Sequence, residues 1–284
     1  MAHQLTGEQS HKSHSMGMHA ERLTGRDHQH IFQADEAENF LYPFAVDVDF
    51  DKTAEFDATE LSTSEINGKI NELMQSGHGH IVVKNPNSRH SIGVGILNRL
   101  RLDFKGSLGY FGCGLIDGPI VHISGRVGWS CGENMMAGVI VVEKNAGSSF
   151  GAAIRGGDLV CKGDVGGRPG INQKGGTILV GGVTGALSGF MMQRGRMVVL
   201  GDAHENLGDS MYDGTIYVAG KIKSLGIDAI ESEMTESDCQ WLKRKLAMYE
   251  LEAPNGVENM TKIVAGKQLW NYDNLEPHEK KIVV

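Results

Sequence analysis

Short β-prone runs return at a fixed interval through the middle of the chain: Ile120-Val121-His122-Ile123, Ile140-Val141-Val142, Leu159-Val160-Cys161, Ile178-Leu179-Val180, Met197-Val198-Val199 and Ile216-Tyr217-Val218. The interval is 19 residues, without insertions. Aligned at that step, one column reads Val121, Ile140, Leu159, Ile178, Met197, Ile216, and the column two residues on reads Ile123, Val142, Cys161, Val180, Val199, Val218. Residues two apart on a strand share a face, so both columns point inward. The columns Val127, Ala146, Val165, Thr184, Ala203, Ile222 and Met135, Ile154, Gln173, Met192, Met211 are mostly apolar and are read as inward too. The column between the first two must face outward, yet it reads His122, Val141, Val160, Leu179, Val198, Tyr217. A free-standing sheet face alternates to polar residues there. The pattern therefore predicts a cover, either the chain's own flanks or another subunit, and makes Val141, Val160, Leu179, Val198 and Tyr217 candidate partner contacts, with Trp270 from the C-terminal arm.

Glycine follows the same period. One column holds Gly125, Gly163, Gly182 and Gly201, with Lys144 the exception; three residues on stand Gly128, Gly147, Gly166 and Gly185; four further on stand Gly132, Gly151, Gly170, Gly189 and Gly208. A helix would lose roughly 1 kcal/mol at each such glycine. A β-coil uses them, at corners of positive φ and where neighbouring coils stack closely. Nineteen extended residues trace roughly 60 Å, enough for one coil of two or three short strands. Internal repeats of this length indicate a solenoid. The expected fold is a right-handed parallel β-helix of about six to seven coils, flanked by short helices, with coils at about 4.8 Å spacing.

The flanks read differently. Residues 1–45 are polar, hold six histidines and are expected to be a disordered tail. Residues 46–98 form an N-terminal cap: Ser62 and Glu65 make a capping box for a helix to about Gln75, with Ile66, Ile70 and Leu73 on one face, and a strand follows over 80–84. The repeat occupies 99–228. In 229–284, Thr235 and Asp238 start a second helix with Leu242, Leu246 and Tyr249 on one face, Pro254 lies past its end, and the last 30 residues read as an extended arm.

Composition narrows the functional classes. The formal net charge is −8, against the basic face that nucleic-acid binding requires. The N-terminus has no apolar signal segment, so a cytoplasmic location with reduced thiols is expected. Residues 175–193 carry no charge over membrane-span length, but they hold six glycines and lie inside the repeat, so a membrane span is rejected. Cys113, Cys131, Cys161 and Cys239 form no C-x-x-C pair. Candidate chemistry is sparse. Cys131 with His122 is the one thiol–imidazole pairing, read instead as a buried or turn thiol. Cys161 replaces valine in an inward column and is read as packing. Asp164, Asp202 and Asn145 share a turn column with Arg126 and Val183, which favours turn chemistry over a stacked acidic site. Arg155, Lys174 and Gln193 share a column with Met136 and Tyr212, a solvated edge by default. The tail histidines are irregularly spaced for a metal site.

Residues 124–138 (SGRVGWSCGENMMAG), 163–176 (GDVGGRPGINQKGG), 188–201 (SGFMMQRGRMVVLG) and the following LGDSMYDGTIYVAG resemble the Gly-x-Gly-x-Gly domain at the C-terminus of the glutamate synthase large subunit. Residues 85–90 (NPNSRH) and 262–270 (KIVAGKQLW) carry the likeness into the flanks, so that it covers roughly 55–270. As a chain by itself it is similar to the small middle subunit of split systems such as N-methylglutamate synthase. The resemblance implies a non-catalytic scaffold that bridges a glutamine amidotransferase-like subunit and an FMN and iron–sulfur synthase subunit, with no cofactor on this chain. Residue 2 is alanine where that family's amidotransferase has its N-terminal cysteine, and the four cysteines are too scattered for its cluster. Two rivals remain: the chain with a related repeat in a formylmethanofuran dehydrogenase or formyltransferase/hydrolase complex, and a free β-helix acting on polysaccharide.

Overall fold

A computed structural model describes residues 46–266 of the 284. The tail over 1–45 and Trp270 lie outside the described residues. Strands β1 (Asp49–Asp57), β2 (His78–Lys84), β3 (Arg101–Lys105), β4 (Asp117–Ile123), β5 (Ala137–Val142), β6 (Asp158–Cys161), β7 (Lys174–Val180), β8 (Arg194–Val199) and β9 (Thr215–Val218) pair in parallel, each with the next. The register steps by 19, as the columns require: Leu102, Val121, Ile140, Leu159, Ile178, Met197 and Ile216 stand directly above one another. All seven are fully buried, as are Met135, Ile154, Gln173, Met192 and Met211. A second wall runs through single bridges from Leu108 by Val127, Ala146, Val165, Thr184 and Ala203 to Ile222. The chain is a parallel β-solenoid of about seven turns.

The third side of each coil is irregular, and its geometry explains one glycine column. Left-handed φ recurs at three alternate positions, as at Ser149, Gly151 and Ala153. Successive members donate in opposite directions along the stack: Ser149 N to Gly167 O (2.8 Å), Gly151 N back to Cys131 O (2.9 Å), Ala153 N to Ile171 O (2.8 Å). Alternating the peptide direction thus satisfies the backbone without a regular strand. From Gly132 onward the middle member is glycine, because a Cβ there would point into the core, at Gly151 only 2.7 Å from Leu159 Cδ2 and 2.8 Å from Ile178 Cδ1; one coil earlier the position is Cys113, whose side chain is itself part of the core. The column of Gly201 has another cause. Its φ is not left-handed, but a Cβ would stand 2.6 Å from the backbone of Gly182 one coil below. Close approach, not a corner conformation, selects glycine there.

Both ends of the core are closed by the flanks. Helix α1 (Thr63–Gln75) begins at the Ser62–Glu65 capping box, buries Ile66 and Ile70 on the first coil, and is tied down by Asn67, which donates to Ser91 O and accepts from Gly93 N (2.8 Å each). At the far end β11 (Thr261–Ala265) pairs antiparallel with β9, and β10 (Ala229–Ser232) antiparallel with β11. The reversal ends the parallel stack and buries Ile263 over the core. Residues 261–265 are therefore a sheet strand, not part of an extended arm. The run Lys262-Ile263-Val264 is short and apolar only in part, and its hydrogen bonds come from a strand 45 residues earlier in sequence.

Candidate interaction surfaces

The outer face of the long sheet divides into two halves. On the C-terminal half lies α2 (Glu236–Ala247), opened by the Thr235–Asp238 capping box. Val160, Leu179, Val198 and Tyr217 form one cluster with Trp241, Leu242, Leu246 and Tyr249, and all four sheet residues are fully buried. The chain's own flank covers these positions, so the expectation of partner contacts is corrected for them. Val141 lies at the margin of the same cluster, partly buried.

Charged groups frame this apolar seat. Lys245 Nζ donates to Asp158 Oδ2 at 2.9 Å, and the Tyr249 hydroxyl donates to the same oxygen. The Arg196 guanidinium lies 4.1 Å from the centroid of the Trp241 ring. Asp238 accepts from the Tyr217 hydroxyl (2.6 Å) and from Lys262 Nζ (2.7 Å), which links α2 to β11. Burial opposes ionisation of Asp238, but the hydrogen bonds from Lys262, Tyr217 and Thr235 prevail and hold its carboxyl well below the usual carboxylate range. Burial, with the Asp238 carboxylate beside it, pushes the Tyr217 phenol up. None of these polar partners is evident from the repeat. The available signal was Asp158 and Arg196 standing in an outward column beside an apolar one.

The N-terminal half of the face carries a polar ladder instead. His80 Nε2 lies 3.0 Å from Asp103 Oδ2, His122 Nδ1 lies 3.9 Å from Asp103 Oδ1, and His122 Nε2 lies 2.9 Å from Glu143 Oε1, which Lys162 also reaches at 3.2 Å. Burial works against the Glu143 charge, yet His122 and Lys162 keep its carboxyl below the usual range. This pairing turns His122 outward, whereas Cys131 is fully buried in the core and its thiol is pushed well up by burial and by nearby Cys113 and Cys161. They do not form a nucleophile and base. Cys113 and Cys161 are pushed up to about 12 by burial. The turn column does turn chemistry: Asn145 Oδ1, Asp164 Oδ1 and Asp202 Oδ1 each accept from a backbone N–H of the next coil, at Asp164, Val183 and Lys221 (3.2, 2.9 and 2.7 Å). Gln193 donates sideways to Asn172 Oδ1 (2.7 Å), within its edge. Gln173, inside an apolar column, donates to the carbonyls of Gly175, Gly176 and Arg196. Among the described residues no group of three or more His, Cys, Asp or Glu side chains is arranged to hold a metal ion, and no helix is long and apolar enough to cross a membrane.

A third surface was missed in the sequence. His90, Tyr110 and Trp129 stack on successive coils, with ring centroids 4.5 and 5.0 Å apart and planes within 18°. Tyr110 and Trp129 are 40% and 56% exposed, and Phe111 and Leu115 beside them are exposed as well. The signal lay in an outward column that is aromatic in its first coils and then becomes Ser148, Gly167, Ala186 and Glu205.

Compared with known proteins, residues 84–253 match the family described as the GXGXG motif. The matched span runs past the solenoid and through α2, so the covering helix is inside the family unit. Protein GlxC of Rhizobium meliloti (strain 1021) is 40% identical over 210 residues, which is 74% of this chain and 92% of GlxC.

Proposed function

The chain belongs to the GXGXG-motif family, and from that premise we propose that it is a structural, non-catalytic subunit of a glutamate synthase-type complex. In this reading it bridges a glutamine amidotransferase-like subunit and an FMN and iron–sulfur synthase subunit, in the cytoplasm, and the complex moves amino nitrogen onto an acceptor to give glutamate or N-methylglutamate. The family match carries the reading. The architecture supports it: seven rungs at about 4.8 Å make a rigid block roughly 30 Å tall, suited to fixing two other active sites relative to each other. The thiols support placing the iron–sulfur cluster on a partner. Iron–sulfur ligation uses clustered thiolates, whereas Cys113, Cys131 and Cys161 are protonated packing groups in the core.

The test is purification of the full chain from its native cells and, separately, by itself. The native preparation is expected to contain a flavin-bearing chain and to show glutamine- or glutamate-dependent synthase activity. The chain by itself is expected to show neither glutaminase nor synthase turnover. Turnover by the chain alone, or native material without any associated chain, overturns the proposal.

A further inference from the structure

The first coils differ from the rest in what they expose. Among the described residues, six of the eleven exposed large apolar side chains fall within residues 94–129: Val94, Tyr110, Phe111, Leu115, Ile120 and Trp129. The solenoid does not need them there. The Tyr110–Trp129 column continues as Ser148, and the Phe111 column continues as Ser130 and Ser149, with the coil geometry unchanged. A grouping of exposed aromatic surface of this kind marks a contact site.

Charge identifies the occupant. In a chain of net charge −8, residues 85–129 hold five basic side chains, Arg89, Arg99, Arg101, Lys105 and Arg126, against two acidic ones, Asp103 and Asp117. Asp103 is buried under His80, Arg101 and Lys105 and Asp117 is half-buried, whereas Arg99, Arg101, Lys105 and Arg126 are exposed, so the exposed charge of residues 85–129 is positive. The acidic surplus of the chain lies elsewhere. We infer that the aromatic corner built on Tyr110, Phe111 and Trp129 docks an acidic, apolar-centred protein surface of another subunit. Aromatic rings supply the desolvated centre of such a contact, and the exposed basic side chains of the same coils, Arg99, Arg101, Lys105 and Arg126, select carboxylates at the rim. The inference rests on the proposal of a multi-subunit complex and names the side by which this chain engages it.

The experiment places the photo-crosslinking residue p-benzoylphenylalanine at Phe111, and separately at Trp129, in the full chain expressed in its native cells. After irradiation the joined peptides are identified by mass spectrometry. A peptide of another polypeptide, richer in Asp and Glu than in Lys and Arg, is the expected product. A peptide from residues 1–45 or 267–284, from a second copy of this chain, from a basic surface, or no crosslink, overturns the inference. The triple substitution Tyr110→Ser, Phe111→Ser, Trp129→Ser copies the chain's own downstream coils and so keeps the fold. It is expected to weaken partner retention on the order of tenfold or more, and raised salt is expected to weaken wild-type retention. Retention within twofold of wild type also refutes it. If partners co-purify but crosslinks miss them, this docking surface falls while the multi-chain reading stands. If wild-type material brings no partner, both fall.

Discussion

Replacing Lys245 by Met tests whether the framing charges hold α2 on the sheet. The Lys245 and Asp158 side chains are 3% and 7% exposed, so their pair is shielded from water and salt. Truncating one member leaves a carboxylate buried without its cation, at a cost of about 3–5 kcal/mol. The apolar seat is comparable: cutting fully buried Leu242 to Ala is expected to cost about 2–5 kcal/mol. The pair is not thereby a net source of stability. Replacing a whole buried ionic cluster by apolar side chains of similar volume is commonly neutral or stabilising by about 1–4 kcal/mol. The column supplies the template, since the residue paired with Asp158 on the preceding coil is Val139. The triple variant Asp158→Val, Lys245→Met, Tyr249→Phe removes the carboxylate together with both of the donors that face it. Urea unfolding, read out with amide hydrogen exchange over 236–247, separates undocking of α2 from loss of the solenoid. Lys245→Met is expected to lower the opening free energy of α2 by about 3 kcal/mol, and the triple variant to restore most of it. A loss below about 1 kcal/mol in the single variant, or a triple variant no better than the single, refutes the argument.

Other outcomes follow from the same contacts. Gly201→Ala forces its Cβ against the Gly182 backbone and is expected to cost about 1–3 kcal/mol in urea unfolding, unlike the exposed change Arg168→Gly, which relieves a left-handed non-glycine residue at φ 58 and is expected to be neutral or stabilising. A thiol reagent at pH 8 is expected to label half-buried Cys239 in the native chain and to reach Cys113, Cys131 and Cys161 only on unfolding; fast labelling of more than one thiol would contradict the packing. Because the folded Asp238 carboxyl is held below its unfolded value of about 3.9, its contribution is complete above that pH and lost as pH falls through the folded value. The stability gap between wild type and Asp238→Asn should therefore be constant from pH 7 to about 5 and narrow below about 4; a gap that widens in acid would reverse the sign.

What was legible in the sequence was whatever repeats. A solenoid carries each position onto its equivalent one coil later, so Val121, Ile140, Leu159 and Ile178 announce one inward wall between them. The two helices were legible for a local reason, since Ser62 with Glu65 and Thr235 with Asp238 are each complete capping boxes three residues apart. What failed to show was pairing across distance. Strand β1 (DFDKTAEFD) is an outermost strand, largely exposed and rich in charge, and gives no apolar alternation to read. Strand β11 depends on β9 and β10 for its hydrogen bonds. The left-handed residues Ser149, Ala153, Leu187 and Met191 share no side-chain chemistry; only their constant offset of two from a glycine column marks them.

The outward apolar column shows why burial and interface cannot be told apart from one strand's pattern. Val160, Leu179, Val198 and Tyr217 require a cover, and that requirement is identical whether the cover is a partner or residues 236–247 of the same chain. The distinguishing marks are specific counter-charges. Asp158 is matched by Lys245, 87 residues away, and Arg196 by the Trp241 ring. The consequence reverses what the pattern alone would recommend. With the column exposed to a partner, Val160→Lys and Val198→Lys would release that partner and leave the chain folded. With the column under α2, each places an ammonium among Trp241, Leu242 and Leu246, at a cost of several kcal/mol, and expels the helix. His122→Ala, in the same column but on the open N-terminal half, removes only its contacts to Asp103 and Glu143 and leaves α2 seated. Amide exchange over 236–247 that rises in Val198→Lys and stays unchanged in His122→Ala is the expected result. Equal protection in both variants would mean that the face is not divided in this way.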